Sequence, residues 1–183
     1  MVIKTVFFNE IEIVKNMKLI YLAATVLFLT LLSCQSNSKK LLEREDYSIS
    51  YKQDNKIDES GINGVDFYIA LSHDKDHNFT NNINLLVQDL SETGLDLKKF
   101  VDLTESQIKS SGQLITSERK NRNGAEYQSI VFEANFGKGD LKFLQYDFVQ
   151  DDKAYILTYT ATVGTFDKDL SKAEEVMNSF KLR

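Results

Sequence analysis

Residues 141–161 read LKFLQYDFVQDDKAYILTYTA, and this stretch decides the fold. Two runs rich in aromatic and aliphatic residues flank the polar pair Asp151-Asp152, which predicts two antiparallel strands joined by a tight turn. Adjacent side chains of a strand point to opposite faces of the sheet, so Phe143 and Leu144 face in opposite directions. Apolar residues on both faces indicate a sheet that is covered on both sides.

Further strands are expected on either side of this stretch. Asn123-Gly124 predicts a hairpin turn, because both residues tolerate positive φ. Alternation and turn signals together place seven strands near 47–51, 65–71, 83–87, 114–121, 126–136, 141–150 and 154–163. Short connections between them favour antiparallel neighbours.

Two amphipathic helices complete the pattern. The first is expected over 97–110, with Asp96 as its N-cap and Gly112 as its stop signal. The second is expected over 166–179, and its apolar stripe is Phe166, Leu170, Ala173, Met177 and Phe180. The fold class is therefore α+β: a three-layer α/β/α sandwich in which a central antiparallel sheet of about seven strands carries two main helices on opposite faces.

An uncharged run of fourteen residues, Leu19–Leu32, precedes the folded part. A helix of this length covers about 21 Å, which is shorter than a hydrocarbon core and typical of a signal peptide. The run ends in Leu31-Leu32-Ser33-Cys34 and is followed by polar residues. This pattern resembles the lipobox of bacterial lipoproteins, which implies cleavage between Ser33 and Cys34 and lipidation (palmitate among the acyl groups) of Cys34.

The chain divides accordingly into four segments. Residues 1–16 carry Glu10 and Glu12, which do not suit a signal peptide, so we expect translation to begin at Met17 and 1–16 to be a mis-assigned or extended N-terminus. Residues 17–33 are the expected signal peptide, 34–45 a tether, and 46–183 the folded domain. Lys39 and Lys40 follow the cysteine where some surface-displayed lipoproteins carry acidic residues, so an outer-membrane anchor facing the periplasm is expected.

Composition limits the classes of partner. The full chain has a formal net charge of −5, and removal of 1–33 leaves 19 basic and 25 acidic side chains. Binding to nucleic acid needs a basic surface, so no nucleic-acid partner is expected. The chain has one cysteine, which excludes an intrachain disulfide.

Several strings resemble the PsbP-like family. They are YSISY at 47–51, NINLLVQDL at 82–90, LKFLQYDF at 141–148, AYILTYTA at 154–161 and VMNSFK at 176–181. The resemblance spans the whole expected domain and implies a PsbP-like fold. It also implies a non-enzymatic role with no cofactor, because members with known roles generally bind other proteins. Bacterial members are frequently lipoproteins, which agrees with the lipobox-like segment that ends at Cys34.

One cluster invites a chemical interpretation, HDKDHN at 73–78. A calcium loop would need Gly at position 79 and Glu at position 85, where the sequence has Phe79 and Leu85. His73, Asp76 and His77 remain candidate ligands for zinc or copper. A solvated hairpin loop is the preferred interpretation, because histidines four residues apart meet only on a helix.

No catalytic constellation emerges from the sequence. The carboxylate pairs Asp151-Asp152 and Glu174-Glu175 are expected in a turn and on an exposed helix face, where they are solvated. We therefore expect a membrane-anchored envelope lipoprotein that binds a protein partner or stabilises an envelope complex. The alternative is a periplasmic protein that binds a metal or small ligand at 73–78.

Lipidation at Cys34 gives a direct test. Intact-mass analysis of the chain from its own membranes is expected to show a mature protein that begins at Cys34 and carries acyl chains. The Cys34→Ser variant is expected to accumulate as an uncleaved, unlipidated precursor. A precursor mass that includes residues 1–16 would contradict the start at Met17.

Overall fold

A seven-stranded antiparallel sheet forms the centre of the domain in the computed structural model, which describes residues 38–137 and 139–183. Residues 39–183 make up one compact unit. Its elements are β1 (Lys39–Glu43), β2 (Tyr47–Lys52), β3 (Ile57–Asp58), a 3-10 turn (Ile62–Gly64), β4 (Phe67–Asp74), β5 (Phe79–Asp89), α1 (Leu97–Ser111), β6 (Gly112–Arg122), β7 (Ala125–Asn135), β8 (Asp140–Gln150), β9 (Lys153–Thr162), α2 (Phe166–Met177) and β10 (Lys181–Leu182).

The central sheet has the strand order β3-β4-β5-β9-β8-β7-β6. The expected hairpins are confirmed: Asn123 (φ 53°) and Gly124 (φ 86°) make the β6–β7 turn, and Asp151 and Asp152 make the β8–β9 turn with φ of 50° and 54°. These residue types tolerate the left-handed region, which lets two long strands reverse within two residues. The predicted strands agree with β4 to β9 within a few residues at each end.

The two helices belong to different core clusters. Phe166, Ala173 and Met177 of α2 pack in the main core cluster with Leu144 and Tyr159, which oppose each other on β8 and β9. The helix α1 contributes to two smaller clusters. Ile108 packs with Ile130, Phe132 and Phe143, and Phe100 packs with Leu90 and Ala154. Both helices bury the apolar stripe that their sequence periodicity predicts.

The helix boundaries follow local capping. Asp96 accepts a hydrogen bond from the backbone N–H of Lys99 at 2.8 Å, which confirms the expected N-cap of α1. The second helix ends at Met177 rather than at 179. Phe180 lies beyond it and is buried, with its ring centroid 5.4 Å from that of Tyr47. The last apolar residue of the predicted stripe is therefore a core residue of the C-terminal segment.

A second, three-stranded sheet differs from the expectation. Its order is β1-β2-β10, so the predicted strand at 47–51 belongs to this sheet, and β3 supplies the seventh strand of the central one. Residues Lys39–Glu43 lie within the expected tether at 34–45, yet they pair with β2 and bury Leu42. Charged neighbours conceal this strand in the sequence, because only one of its five side chains is buried.

The expectations for 1–16, for the signal peptide at 17–33, and for Ser33 and Cys34 lie outside the described residues. In the part of the chain from 38 to 183 that the structure describes, no helix has the length and apolar character needed to span a membrane.

Gly112, at the junction of α1 and β6, offers a test of this packing. A Cβ there would collide with the carbonyl oxygen of Glu133 and lie 2.9 Å from Ala134 Cβ on the paired strand. The Gly112→Ala variant is therefore expected to lose about 1–3 kcal/mol of unfolding free energy, measured by chemical denaturation. Gly164→Ala is the matched control, because no atom lies within 4 Å of its added Cβ. Equal stability of the two variants would contradict this packing.

Candidate functional site

The 73–78 segment lies at the β4–β5 hairpin, with His73 on the strand itself. His73 pairs with Thr80 in the sheet, and its Nδ1 lies 3.1 Å from Thr80 Oγ1. His77 Nδ1 lies 2.9 Å from Asp74 Oδ2, and the backbone N–H of Asp76 donates to Asp74 Oδ1 at 3.0 Å. Asp74, not a histidine, is therefore the centre of this segment.

Asp74 connects the hairpin to a buried polar network. The Thr162 hydroxyl donates to Asp74 Oδ2 at 2.7 Å and lies 2.7 Å from Thr165 Oγ1. This hydrogen bond, together with the contact to His77, lowers the pKa of Asp74 to about 2 in spite of its burial. The carboxylate therefore stays ionised throughout the physiological range.

The network continues to the first turns of α2. The Asn81 side chain, which has no exposed surface, donates to Thr165 Oγ1 and to Asp169 Oδ2, both at 3.0 Å. Burial acts to raise the pKa of Asp169, but hydrogen bonds from Ser72, Asn81 and Lys172 outweigh it and leave the pKa lowered. The carboxylates are satisfied by protein donors, so the network fixes the start of α2 to the hairpin.

The metal candidates His73, Asp76 and His77 do not come together around a common point. Within residues 38–137 and 139–183, no group of three or more His, Cys, Asp and Glu side chains is arranged to hold a metal ion. His73 contacts Thr80 and His77 contacts Asp74, which uses one nitrogen of each ring.

A groove lies between α1 and the central sheet. Its volume is about 410 Å³, within the range of natural ligand pockets. The wall is one side of α1, and the floor comes from β5, β7, β8 and β9. The main apolar side chains are Leu86, Phe100, Leu103, Ile108, Phe132, Phe136 and Ile156. Leu103 is 52% exposed and Phe136 is 61% exposed, so the rim of the groove is apolar as well.

A buried polar pair adjoins the groove floor on β8. Gln145 lines the groove, and its Nε2 donates to Asp147 Oδ1 at 2.8 Å. Asp147 has no exposed surface, and its Oδ2 has no hydrogen-bond partner among the described residues. Burial raises the pKa of Asp147 to about 7, and the single hydrogen bond from Gln145 offsets only part of this rise.

The sequence indicates that this pair is buried, although strand periodicity alone does not assign it a role. The face of β8 that meets α1 carries Leu141, Phe143 and Val149, with Gln145 and Asp147 between them. A polar pair within a strand that is covered on both faces must be buried, and buried polar groups require partners. The carboxylate pairs at 151–152 and 174–175 are exposed, as their positions predicted.

Comparison with known proteins rests on structure alone, since no protein-family model and no curated protein sequence matches the chain. The solution structure of cyanobacterial PsbP (CyanoP) from Synechocystis sp. PCC 6803 superposes with a TM-score of 0.60 at 15% identity. The match covers 82% of this chain and 96% of that one. The domain has a PsbP-like fold.

Two further structures share this fold. LpqN of Mycobacterium tuberculosis, described as involved in cell envelope biogenesis, has a TM-score of 0.61 at 11% identity, over 79% of this chain and 90% of its own. PA94 of Pseudomonas aeruginosa, a protein of unknown function, has a TM-score of 0.57 at 13% identity, over 79% of this chain and 97% of its own. At these identities the PsbP-like likeness concerns the fold, and function has to be argued from the site.

Asp147 makes stability depend on pH. Because its pKa is about 7 in the folded chain and near 4 in the unfolded one, its contribution is fully present below pH 4 and is lost as pH rises to 7. Asp147→Asn is expected to remove this dependence and to raise the free energy of unfolding above pH 7 by about 4 kcal/mol, because each pKa unit corresponds to about 1.4 kcal/mol.

Chemical denaturation between pH 4 and 8 measures this effect. The control is Asp102→Asn, which changes an exposed carboxylate on α1 that pairs with Lys98 one turn away, and it should leave the pH profile unchanged. Parallel profiles for the wild type and Asp147→Asn would show that the buried carboxylate does not titrate in this range.

Proposed function

We propose that this chain is a lipid-anchored envelope protein whose PsbP-like domain binds a protein partner through the groove beside α1, without catalysing a reaction. The observation that carries the proposal is the apolar rim of that groove. Leu103 and Phe136 are two of six large hydrophobic side chains that are strongly exposed in the described part of the chain, and both line the same groove. Exposed apolar side chains that cluster mark interaction sites more often than scattered ones do.

The geometry favours a protein over a small molecule. Leu103 and Phe136 stand at the rim, so a ligand that fills only the floor would leave them in water. A helix or loop of a partner that lies along α1 would cover rim and floor together, and an apolar side chain would enter the groove above Ile156. Phe136 is prearranged for this contact, because its ring packs edge-on against Phe143 at 5.9 Å.

The location rests on the lipobox-like segment that ends at Cys34. We propose an outer-membrane anchor that faces the periplasm, in which the lipid replaces a membrane-spanning helix. The likeness to LpqN, a protein described as involved in cell envelope biogenesis, is consistent with an envelope location.

We also propose that the helices and the central sheet form three layers, which leaves the α1 layer free for the partner while α2 closes the main core.

Site-specific crosslinking tests this proposal. A photoreactive residue is placed at Leu103 in the otherwise native, lipidated chain, and crosslinking is carried out in intact envelopes of the source bacterium. The expected result is one dominant crosslinked protein, identified by mass spectrometry. The matched control carries the same residue at Ile62, which is equally exposed at 56% but lies in the 3-10 turn away from the groove.

Charge substitutions complete the test. With the photoreactive residue at Leu103, Phe136→Glu is expected to abolish capture. With the photoreactive residue at Phe136 instead, Leu103→Glu is expected to do the same, because each places a carboxylate against an apolar surface. Ile62→Glu should leave capture intact, and all three variants should melt within a few degrees of the wild type. Equal capture from positions 62 and 103, or capture that survives both groove variants, would contradict a docking role for the groove.

A further inference from the structure

We propose that a second pocket, at the end of the β6–β7 hairpin, binds a small amphipathic anion. The pocket has a volume of about 240 Å³ and lies between the hairpin turn and the C-terminal residues 180–182. It is separate from the groove beside α1, with which it shares no lining residue. Two cationic residues, Arg122 and Lys181, line it together with Asn123, and no Asp or Glu is among the lining residues.

The floor of the pocket is aromatic and rigid. Phe148 and Phe180 line it, both are at most 5% exposed, and their ring centroids lie 5.3 Å apart. Behind them, Tyr127 stacks on Phe148 at 5.0 Å with an interplanar angle of 24°. These rings belong to the main core cluster, so the floor is held by the whole domain. A flat apolar body would find a preformed surface there.

Arg122 lies half-buried above these rings without an acidic partner. Its Cζ is 5.5 Å from the Tyr127 ring centroid and 5.9 Å from that of Tyr146, so the guanidinium caps both rings through cation–π contact. No Asp or Glu oxygen in residues 38–137 and 139–183 lies within 4 Å of its nitrogens. The Tyr146 hydroxyl takes one of the five N–H donors of the guanidinium, which therefore retains others for an anion.

Arg119 shows what an ordinary arginine of the same strand does. Its Nε donates to Gln128 Oε1 at 2.9 Å, and one of its terminal nitrogens lies 3.7 Å from the Glu126 carboxylate. Lys181 resembles Arg122 in this respect, since no carboxylate among the described residues pairs with it. Two unpaired cations at one pocket, on a domain with excess acidic charge, indicate electrostatic complementarity to an anion.

The chemistry of the lining defines the ligand class. A guanidinium binds carboxylate or phosphate oxygens through two parallel hydrogen bonds, and a lysine adds a point charge. The aromatic floor takes an apolar body, and a cavity of about 150 Å³ is already sufficient for benzene. The ligand is therefore a single ring or short alkyl group that carries a carboxylate or a phosphate monoester.

Binding of 4-fluorophenyl phosphate, followed by fluorine NMR of the probe, tests the proposal. The protein is the full chain in a neutral detergent, and the same micelles without protein give the blank. A Kd at or below about 1 mM is expected. Added as competitors of the probe, inorganic phosphate and the neutral 4-fluorobenzyl alcohol should each bind at least about tenfold more weakly, because each lacks one half of the recognised chemistry. Equal affinity for either one would overturn the amphipathic class.

Variants assign the binding to this pocket. Arg122→Gln is expected to weaken binding about tenfold or more and Lys181→Gln about threefold, whereas Arg119→Gln should stay within twofold of the wild type. Thermal melting shows that each variant is folded, and the Lys181 variant provides the test if Arg122→Gln is not. Binding that is unchanged in both Arg122→Gln and Lys181→Gln, or no binding by the wild type, overturns the proposal.

Discussion

The structure depends on the burial of β8 and β9 from both sides. Leu144 and Tyr159 oppose each other beneath α2, while Phe143 and Ile156 face the opposite way and pack in the clusters to which α1 contributes. Each face carries a row of large apolar side chains that would be exposed to water if nothing packed against it. The apolar side chains of the two helices bury these rows, and the remaining strands extend the surface on which the helices pack.

This constraint explains which elements were predictable from the sequence. Both helices and six of the seven central strands follow from local periodicity and from turn residues such as Asn123-Gly124. Periodicity does not state which sheet a strand joins, so the YSISY strand was expected in the central sheet although it pairs with β1 and β10. β1 itself escaped prediction because Leu42 alone among its five residues is buried.

The candidate sites were less predictable than the fold. Leu103 and Phe136 are 33 residues apart in the sequence, and Arg122 and Lys181 are 59 apart, so only the folded sheet brings each pair together. Histidine and carboxylate spacing drew attention to 73–78, where the structure instead places a hydrogen-bonded network around Asp74. The polar pair Gln145 and Asp147 was visible as an interruption of an apolar face, but its significance depends on a helix that covers it.

The pairing of β1 with β2 has a mechanical consequence. Lys39 pairs with Lys52 at the open end of this hairpin, so tension applied at Lys39 across the strands loads the hydrogen bonds of the hairpin one after another. Bonds loaded in sequence yield at lower force than bonds loaded together. The five residues of β1 would detach from β2 first and add about 17 Å of extended chain on the N-terminal side of the domain. A domain held by a partner and pulled from its N-terminal side thus has an extensible element that yields before the central sheet.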